Sequence, residues 1–336
     1  MTKNKLLASL ALTLPCAALA QDHIQIYGTI DAYAGRSATA SAPQAVSTIN
    51  SGGMITSYYG FRGSESLGGG MKAQFTLEGF FRGDTGEAGR FPGEAMFARN
   101  ANVGLSGEFG LLRMGRIGNP LFIALGQINP FGPSTRFSPV VNQMFTSAGG
   151  NATLGDTGWS NAISYSSHPV HQTTFIAQYS LGEQPGAHNN NWAVVAKYAG
   201  QDLALTVGGQ NVRNGPGIAA ATPAQRSWMV AASYDLKAVK LFATYSHHDA
   251  DLSERSGRIR HVGLQVPAGA NGRWMLAWSR LEESALGKPD FHRDTAAAGY
   301  DHNLSLRTDL YAVYMNDKLS NAGKGNTYAA GIRHRF

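Results

Sequence analysis

Cysteine is almost absent from this sequence of 336 residues, whose one thiol, Cys16, lies close to the N-terminus. Long hydrophobic runs are absent as well: a transmembrane helix takes about 20 consecutive apolar residues, and no segment, the N-terminal one included, is that long and apolar. No Pro/Ser-rich linker or change of composition divides the chain. These absences exclude a disulfide framework and a bundle of membrane helices, and they favour one domain over two.

The N-terminal segment has the three parts of a secretory signal peptide. Lys3 and Lys5 precede an apolar stretch at residues 6–14, and Ala18-Leu19-Ala20 is a small-x-small cleavage site. The apolar stretch is too short for a retained membrane anchor, which takes about 20 residues. We therefore expect residues 1–20 to be a signal peptide.

Cleavage before Gln21 would leave residues 21–336 as the mature domain. Pro15 stands where a lipidation signal at Cys16 needs a small residue, so a lipid anchor on that thiol is not expected. Cleavage would remove the only thiol, which excludes thiol chemistry in the mature protein. It would also remove two lysines and no acid, so the formal net charge would fall from +6 to +4.

Beyond this segment, alternating stretches of about ten residues recur, separated by Gly, Asn, Asp and Ser turns. In residues 71–81 one parity is polar and the other is apolar, with Ala73, Phe75 and Leu77 on the apolar side. Trp274, Leu276 and Trp278 form another apolar stripe. A soluble sandwich would rarely put so many large aromatics on one face, whereas membrane barrels carry aromatic girdles at both interfaces.

The sequence ends in a strand with two different faces. Ile332, His334 and Phe336 share one parity, while Gly331, Arg333 and Arg335 share the other. A protein core would leave such arginines buried and unpaired, but a barrel wall has lipid on one side and water on the other. Taken alone, this segment leaves open a cationic edge strand of a soluble sheet.

Sixteen candidate strands can be counted, and their connections alternate between short and long. They start near His23, Met54, Met71, Met96, Leu111, Trp159, His171, Asn191, Leu203, Gln225, Val239, Gly257, Gly272, Phe291, Ser305 and Asn326. Long connections include residues 34–53, 82–95 and 213–224. Outer-membrane barrels alternate tight periplasmic turns with long outer loops, and sixteen strands leave an aqueous channel. We predict an all-β fold, a 16-stranded antiparallel transmembrane β-barrel.

One connection, residues 118–157, is too long for an ordinary loop and contains no good strand. Folded inward, this third long loop would narrow the pore, and its apolar residues would pack against the inner wall. Those residues are Leu121, Phe122, Leu125 and Phe131. A floppy external loop is the alternative.

The chain resembles the Gram-negative general diffusion porins, of the type common in β-proteobacteria. The matching segments span the mature chain in order: 26–31 (IYGTID), 60–70 (GFRGSESLGGG), 102–106 (NVGLS), 109–116 (FGLLRMGR), 130–132 (PFG), 303–311 (NLSLRTDLY) and 331–336 (GIRHRF). Any one of them is weak, but the ordered set is specific.

The resemblance implies a homotrimer in the cell outer membrane that passes small hydrophilic solutes and inorganic ions passively. It also implies contact with outer-membrane lipid, and recognition of the C-terminal strand by the assembly machinery through Phe336. Residues 118–157 would form the constriction. No cofactor is expected. The alternative is a substrate-specific porin with a binding site in the constriction.

Fixed charge sets ion preference in a narrow, partly desolvated constriction. The family has an arginine cluster on the wall opposite the third loop, and Arg62, Arg99 and Arg116 fall on matching positions. The third loop itself supplies Arg136. We therefore expect a weak to moderate preference for anions.

Three residues moderate this expectation. Tyr58 occupies a position where the family often has arginine, and Glu78 has lumen parity and is a candidate counter-charge. Asp156 is the one acid of residues 118–157. Strict alternation also puts the side chains of Arg99 and Arg116 on the lipid-facing side of the wall. A bulge at a strand end would be needed to turn them toward the lumen.

Enzymatic and nucleic-acid functions are not expected. His247 and His248 lie near acids and serines, but neighbours on a strand point to opposite faces and cannot converge on one catalytic or metal site. The glycine runs lack a phosphate-loop lysine. Basic residues are spread over many strands instead of forming the patch that binds nucleic acid.

Overall fold

The strands of this protein form one antiparallel sheet that closes on itself. The computed structural model describes residues 23–145, 156–183, 189–213, 224–250 and 255–336. The expected signal peptide and the part of the predicted constriction loop at residues 146–155 lie outside these ranges. The predicted barrel with sixteen positions around its circumference is confirmed, although one position is shared by two strands.

Seventeen strands build the wall. The first nine are β1 (His23–Thr39), β2 (Ala42–Ser51), β3 (Tyr58–Gly68), β4 (Met71–Phe80), β5 (Asn100–Gly107), β6 (Gly110–Gly118), β7 (Gly158–Ser166), β8 (Thr173–Ser180) and β9 (Asn191–Ala199). The others are β10 (Leu203–Val212), β11 (Gln225–Asp235), β12 (Lys240–Ala250), β13 (Arg255–Ala268), β14 (Gly272–Ala285), β15 (Lys288–Asn303), β16 (Thr308–Leu319) and β17 (Lys324–Arg335).

Strand β1 closes the barrel. One of its edges pairs with β17, and its other edge pairs with β3 near the N-terminus and with β2 farther along. Strands β2 and β3 therefore share one position, and residues 52–57 between them form an inward fold. The prediction of a long loop at residues 34–53 is wrong, because β1 continues to Thr39 and β2 returns beside it.

The two rims differ in their connections. Short turns at residues 69–70, 108–109, 200–202 and 269–271 lie at the same rim as His23 and Phe336. The long connections at residues 81–99 and 119–157 leave the opposite rim. Barrels of the outer membrane have their short turns on the periplasmic side, so we call the opposite rim the outer rim.

The alternation predicted from the sequence separates the two faces of the wall. On β14, Trp274, Leu276 and Trp278 are exposed, whereas Met275 and Leu281 are fully buried. Since alternate side chains point to opposite faces, the exposed apolar set faces outward and the buried set faces the lumen.

The C-terminal strand follows the same rule. Ile332 is exposed on the outward face, while Arg333 is buried and lies 2.8 Å from Asp309. Arg335 forms an ion pair with the same carboxylate at 2.9 Å. Because β17 is paired with β1 on one edge and with β16 on the other, the alternative of a soluble edge strand is wrong.

Two short helices interrupt the long connection after β6. Helix α1 (Pro120–Gln127) and helix α2 (Pro139–Phe145) occupy a segment for which the sequence predicted no strand. Among the described residues, no helix has the length and apolar character needed to cross a membrane.

Candidate functional site: the lumen and its arginines

Helix α1 is fixed against the inner face of β8, β9 and β10. It begins after Asn119, whose Oδ1 accepts hydrogen bonds from the backbone N–H groups of Leu121 and Phe122. Such an N-cap satisfies two of the free donors at a helix start. The amide Nδ2 of Asn119 donates to Oε1 of Gln210 at 2.9 Å, which joins the cap to the wall.

Helix α2 lies against β13, β14 and β15. The amide Nε2 of Gln143 donates to the backbone oxygens of Ser279 and Arg293 at 3.2 and 3.1 Å, and to Oγ1 of Thr295 at 3.0 Å. Between the helices, the backbone oxygen of Pro130 accepts from Gln265 at 2.6 Å. The segment 118–145 thus contacts the lumen face of the wall on two separate sides.

The apolar side chains of this segment are buried against other parts of the chain. Leu121 and Leu125 are fully buried in one cluster, against which the partly exposed Phe122 packs, and Phe131 is almost fully buried in a second cluster. Wall residues of the first cluster include Trp159, Val195, Met229, Ile259 and Leu281. Burial of large apolar side chains contributes about 1.5–3 kcal/mol each, so the segment is held by packing as well as by hydrogen bonds.

The inward fold at residues 52–57 meets the far end of this segment. The hydroxyl of Ser134 donates to the backbone oxygen of Gly53 at 2.6 Å. A Cβ at Gly53 would lie 2.0 Å from the hydroxyl of Tyr311 and 3.0 Å from the ring of Phe137, so only glycine fits there. The two segments form one continuous inner structure.

Two adjoining cavities remain between this inner structure and the wall, the first beside β1, β2, β15 and β16 and the second beside β4, β5 and β6. One, of about 300 Å³, is lined by Arg82, Arg90, Arg136 and Arg293, and no acid is among the described residues that line it. The other, also about 300 Å³, is lined by Arg90, Arg99 and Asp156 among others. Arg90 lines both cavities.

The four arginines of the first cavity differ in their partners. Arg82 pairs with Glu87, Arg90 pairs with Glu94 and Asp156, and Arg293 pairs with Asp317. Within the part of the chain that the structure describes, Arg136 has no ion pair. Its exposed guanidinium therefore carries the uncompensated charge of this cavity.

Tyr58, Glu78 and Arg99, three of the predicted site residues, lie together on the lumen face. The buried carboxylate of Glu78 accepts hydrogen bonds from Arg99, from Asn100 and, at 2.5 Å, from the hydroxyl of Tyr27. The guanidinium of Arg99 stacks 3.9 Å from the centre of the Tyr58 ring. The lipid parity predicted for Arg99 is wrong, because β5 begins only at Asn100.

Arg116 lies in a β-bulge. The register between β6 and β7 shifts between Gly115 and Ile117, and Gly115 has a φ of +127°, which a side chain would strain. The guanidinium of Arg116 donates to Asp156 and, at 3.0 Å, to the hydroxyl of Ser160. The bulge that the sequence required is therefore present.

Asp156 joins Arg116 to Arg90. Burial opposes the ionisation of its carboxyl group, but hydrogen bonds from Arg90 and the charges of Arg90 and Arg116 outweigh burial and hold the pKa of Asp156 below its usual range. Burial also opposes the charge of Arg90, yet its bonds to Asp156 and Glu94 raise its pKa above the ordinary value. The charges of Arg90 and Arg116 are thus neutralised by those of Asp156 and Glu94.

Arg62 lies apart from these groups. Its parity is inward as predicted, and its Nε and Nη2 both donate to Oε1 of Gln25, at 2.9 and 2.8 Å. Its guanidinium carbon lies 4.7 Å from the centre of the Tyr27 ring. On β3 it is four residues nearer the short-turn rim than Tyr58, so it lines the lumen on the periplasmic side of the cavities.

Sequence reasoning missed Arg82, Arg90 and Arg293. Arg82 and Arg90 belong to a connection that was expected to be an outer loop, and no sequence signal indicated that it folds over the lumen. Arg293 could have been found, because it has the parity opposite to the outward stripe that includes Ala296, Ala298 and Tyr300.

Comparisons with known proteins give a consistent result. The family model described as Gram-negative porin matches residues 7–322. The chain is 30% identical to outer membrane porin protein 32 of Delftia acidovorans, over 98% of this chain and 95% of the relative. A solved structure, the anion-selective porin from Comamonas acidovorans, has a TM-score of 0.79 at 23% identity and covers 94% of this chain and 100% of its own. The trimer form of OmpT from Vibrio cholerae has a TM-score of 0.67 at 12% identity, over 94% and 99% of the two chains.

Proposed function

The chain belongs to the Gram-negative porin family and forms an outer-membrane channel for passive diffusion, and from this premise we propose that the channel prefers anions. We further propose that the loop at residues 118–157 forms the constriction, whose described part faces the wall at β1, β2, β15 and β16 and at β4 to β6. The observation that carries this proposal is the first cavity, where Arg136 faces the lumen without an ion pair among the described residues.

The sign of the preference follows from the balance of charges. In a partly desolvated passage, a fixed charge acts on ions more strongly than in bulk water, since the interaction varies inversely with the effective dielectric constant. Arg82, Arg90 and Arg293 are paired and contribute mainly hydrogen-bond donors, whereas Arg136 contributes net charge. One uncompensated arginine supports a moderate preference.

The other proposed constriction residues have graded roles. The charges of Arg99 and Glu78 neutralise each other, so this pair affects the width of the passage more than its net charge. Arg116 influences the charge of the constriction through Asp156, because its guanidinium is bound to that carboxylate instead of facing an open cavity. Tyr58 supports the guanidinium of Arg99. Arg62 contributes a positive charge on the periplasmic side of the constriction.

We propose a homotrimer as the working unit. Phe91 and Met96, in the connection between β4 and β5, are 48% and 63% exposed. Apolar side chains exposed in this way often mark protein contacts. The trimer form of a relative with the same fold agrees with this proposal.

We do not assign a catalytic activity to the protein. His248 is buried on the lumen face of β12, whereas its neighbour His247 is partly exposed and contacts Asp249 at 3.1 Å. The two histidines therefore point to opposite faces, as expected of a strand.

The proposal is tested in planar bilayers with purified protein in a gradient of potassium chloride. The reversal potential should show a preference for chloride that shrinks as salt rises, since the Debye length falls from about 10 Å at 0.1 M to about 3 Å at 1 M. A potassium preference at low salt would refute the anion proposal while leaving the channel intact.

The same recordings separate the remaining alternatives. A trimer should close in three equal conductance steps at high voltage, whereas a single step would contradict the trimer. In a substrate-specific porin, the conductance would reach a plateau as the concentration of one solute rises. In a simple diffusion channel, the conductance would keep rising in proportion to the concentration. Esterase activity without conductance would overturn the channel itself.

A further inference from the structure

The two cavities beside the inner structure share three lining residues, Thr56, Arg90 and Thr135. Because the same side chains line both, the cavities adjoin and form one space of two parts, which we call the double cavity. Each part has a volume of about 300 Å³, and sites for small molecules have volumes of about 300–1,000 Å³. The double cavity can therefore hold a solute larger than a simple ion.

The two parts differ in their chemistry. The first cavity contains the unpaired guanidinium of Arg136, and none of the described residues that line it is an acid. The second cavity has a large apolar side, which consists of Ile55, Phe80, Phe122, Ile123, Pro133 and Phe145. A solute that complements both parts is negatively charged at one end and apolar at the other.

The charged groups of the second cavity are already paired. Asp156 accepts a hydrogen bond of 2.8 Å from Nη1 of Arg90 and also binds Arg116. Arg99 forms an ion pair with Glu78. Since these charges compensate one another, the apolar side chains determine what this part of the double cavity binds.

The apolar side of the second cavity is suited to a ring. The rings of Phe122 and Phe145 are partly exposed, and they lie edge to face with their centres 5.2 Å apart. Ile123 is 41% exposed although helix α1 is fixed inside the barrel. Aromatic rings associate at centre-to-centre distances of about 4.5–7 Å, so a solute ring can add to this pair and cover Ile123.

Hydrogen-bond donors lie where the two parts meet. The side-chain hydroxyls of Thr56 and Thr135 line both parts, and among the described residues neither has a hydrogen-bond partner. Arg136 follows Thr135 in the chain and lines the first part. Hydroxyl and guanidinium groups both donate to carboxylates, and the guanidinium bond is strengthened by charge.

We propose that the double cavity binds aromatic monocarboxylates. The ring lies against Phe122, Ile123 and Phe145, where burial of its apolar surface favours binding, and the carboxylate accepts from Thr135 and Arg136. This inference rests on the anion preference proposed above, because a passage that repels anions would not admit this class of solute. It adds a site for an amphipathic solute to a channel that passes small hydrophilic ones.

Planar bilayers containing the purified protein test the proposal, with benzoate, acetate and benzyl alcohol as probes in potassium chloride at pH 7. Benzoate should reduce the chloride current along a saturating curve. Its half-blocking concentration should be at least about tenfold lower than that of acetate, which lacks the ring, and that of benzyl alcohol, which lacks the charge. A factor of ten corresponds to about 1.4 kcal/mol of binding free energy.

Two variants test the ring pocket by the ratio of the half-blocking concentrations of acetate and benzoate. Phe145→Ala removes one ring, and Ile123→Ser changes a side chain that is already 41% exposed and so disturbs the packing less. Each should lower the ratio at least about fivefold, since each removes apolar contacts to the ring. Phe175→Ala removes a ring that is 53% exposed on the outward face and should keep the wild-type ratio. Heat-modifiability shows whether each variant is folded.

Three results would overturn the site. They are equal half-blocking concentrations for benzoate and acetate, an equal block by benzyl alcohol, and a wild-type ratio in both folded pocket variants. The reversal potential in potassium chloride without any probe is a separate measurement. A chloride preference without selective block by benzoate would refute the site alone, whereas a potassium preference would refute the anion preference and the site with it.

Discussion

The hydroxyl of Tyr311 donates a hydrogen bond of 2.5 Å to Oδ1 of Asp31 inside the barrel. The same carboxylate accepts from the backbone N–H groups of Gly53, Met54 and Ile55 at 2.8–3.1 Å. Asp31 is fully buried, and these four donors replace its water shell. The pair thus fixes the inward fold on which Ser134 rests, and it couples the wall to the proposed constriction.

Tyr311→Phe should destabilise the barrel by about 1.5–3 kcal/mol, because a hydrogen bond to a buried charged group is lost. The open channel should also become noisier, since the inward fold loses one of its restraints. Urea unfolding and single-channel recordings measure the two effects. Tyr234→Phe, at an exposed outward position, is the control and should match the wild type. Wild-type stability and noise in the Tyr311 variant would show that the hydroxyl does not restrain the fold.

Arg136→Glu should move the reversal potential strongly toward cations, because it replaces the uncompensated positive charge of the first cavity with a negative one. Arg258→Glu makes the same change of charge on the outward face and should have a much smaller effect. Both are measured at 0.1 M salt, where screening is weak over about 10 Å. Equal shifts in the two variants would place Arg136 outside the conduction path.

Asp156→Asn should increase the preference for chloride at pH 7, because Arg90 and Arg116 lose their shared counter-charge. In the wild type the folded pKa of Asp156 is depressed, so its stabilising ion pairs are fully present above the unfolded pKa of about 3.9 and are lost as the pH falls through the lower folded value. The contribution of Asp156 to the free energy of unfolding, obtained as wild type minus Asp156→Asn, should therefore be constant from about pH 7 to about pH 5. A change between pH 7 and pH 5 would contradict the paired geometry.

Phe336→Ala should lower the yield of folded barrel in outer membranes several-fold. The backbone N–H and carbonyl of Phe336 both pair with Gly28, so this residue joins the two ends of the chain, and a terminal aromatic resembles an assembly signal. Heat-modifiable protein in isolated membranes gives the yield. Phe109→Ala is the matched control, since Phe109 is exposed to a similar degree, 47% against 42%. Equal yields from the two variants would remove the assembly role.

The strand pattern was predictable because each strand contacts two environments. Lipid selects one parity and water or packed side chains select the other, so a period of two appears in segments such as β14 and β17. The prediction of strands failed at residues 42–51, because β2 has no apolar outer band and its sequence is typical of a loop. The helix at residues 120–127 was not predicted, because it is stabilised by wall residues far away in sequence.

The inward or outward direction of Arg62, Glu78 and Arg333 follows from the sequence alone, because parity within a regular strand fixes the face of each side chain. The partners of Arg90, Arg99 and Arg116 do not follow from it. They depend on a bulge at Gly115, on where β5 begins, and on a connection that brings Asp156 between two arginines. Charge compensation is a property of neighbours in space, so only the tertiary structure decided that Arg136 remains unpaired among the described residues.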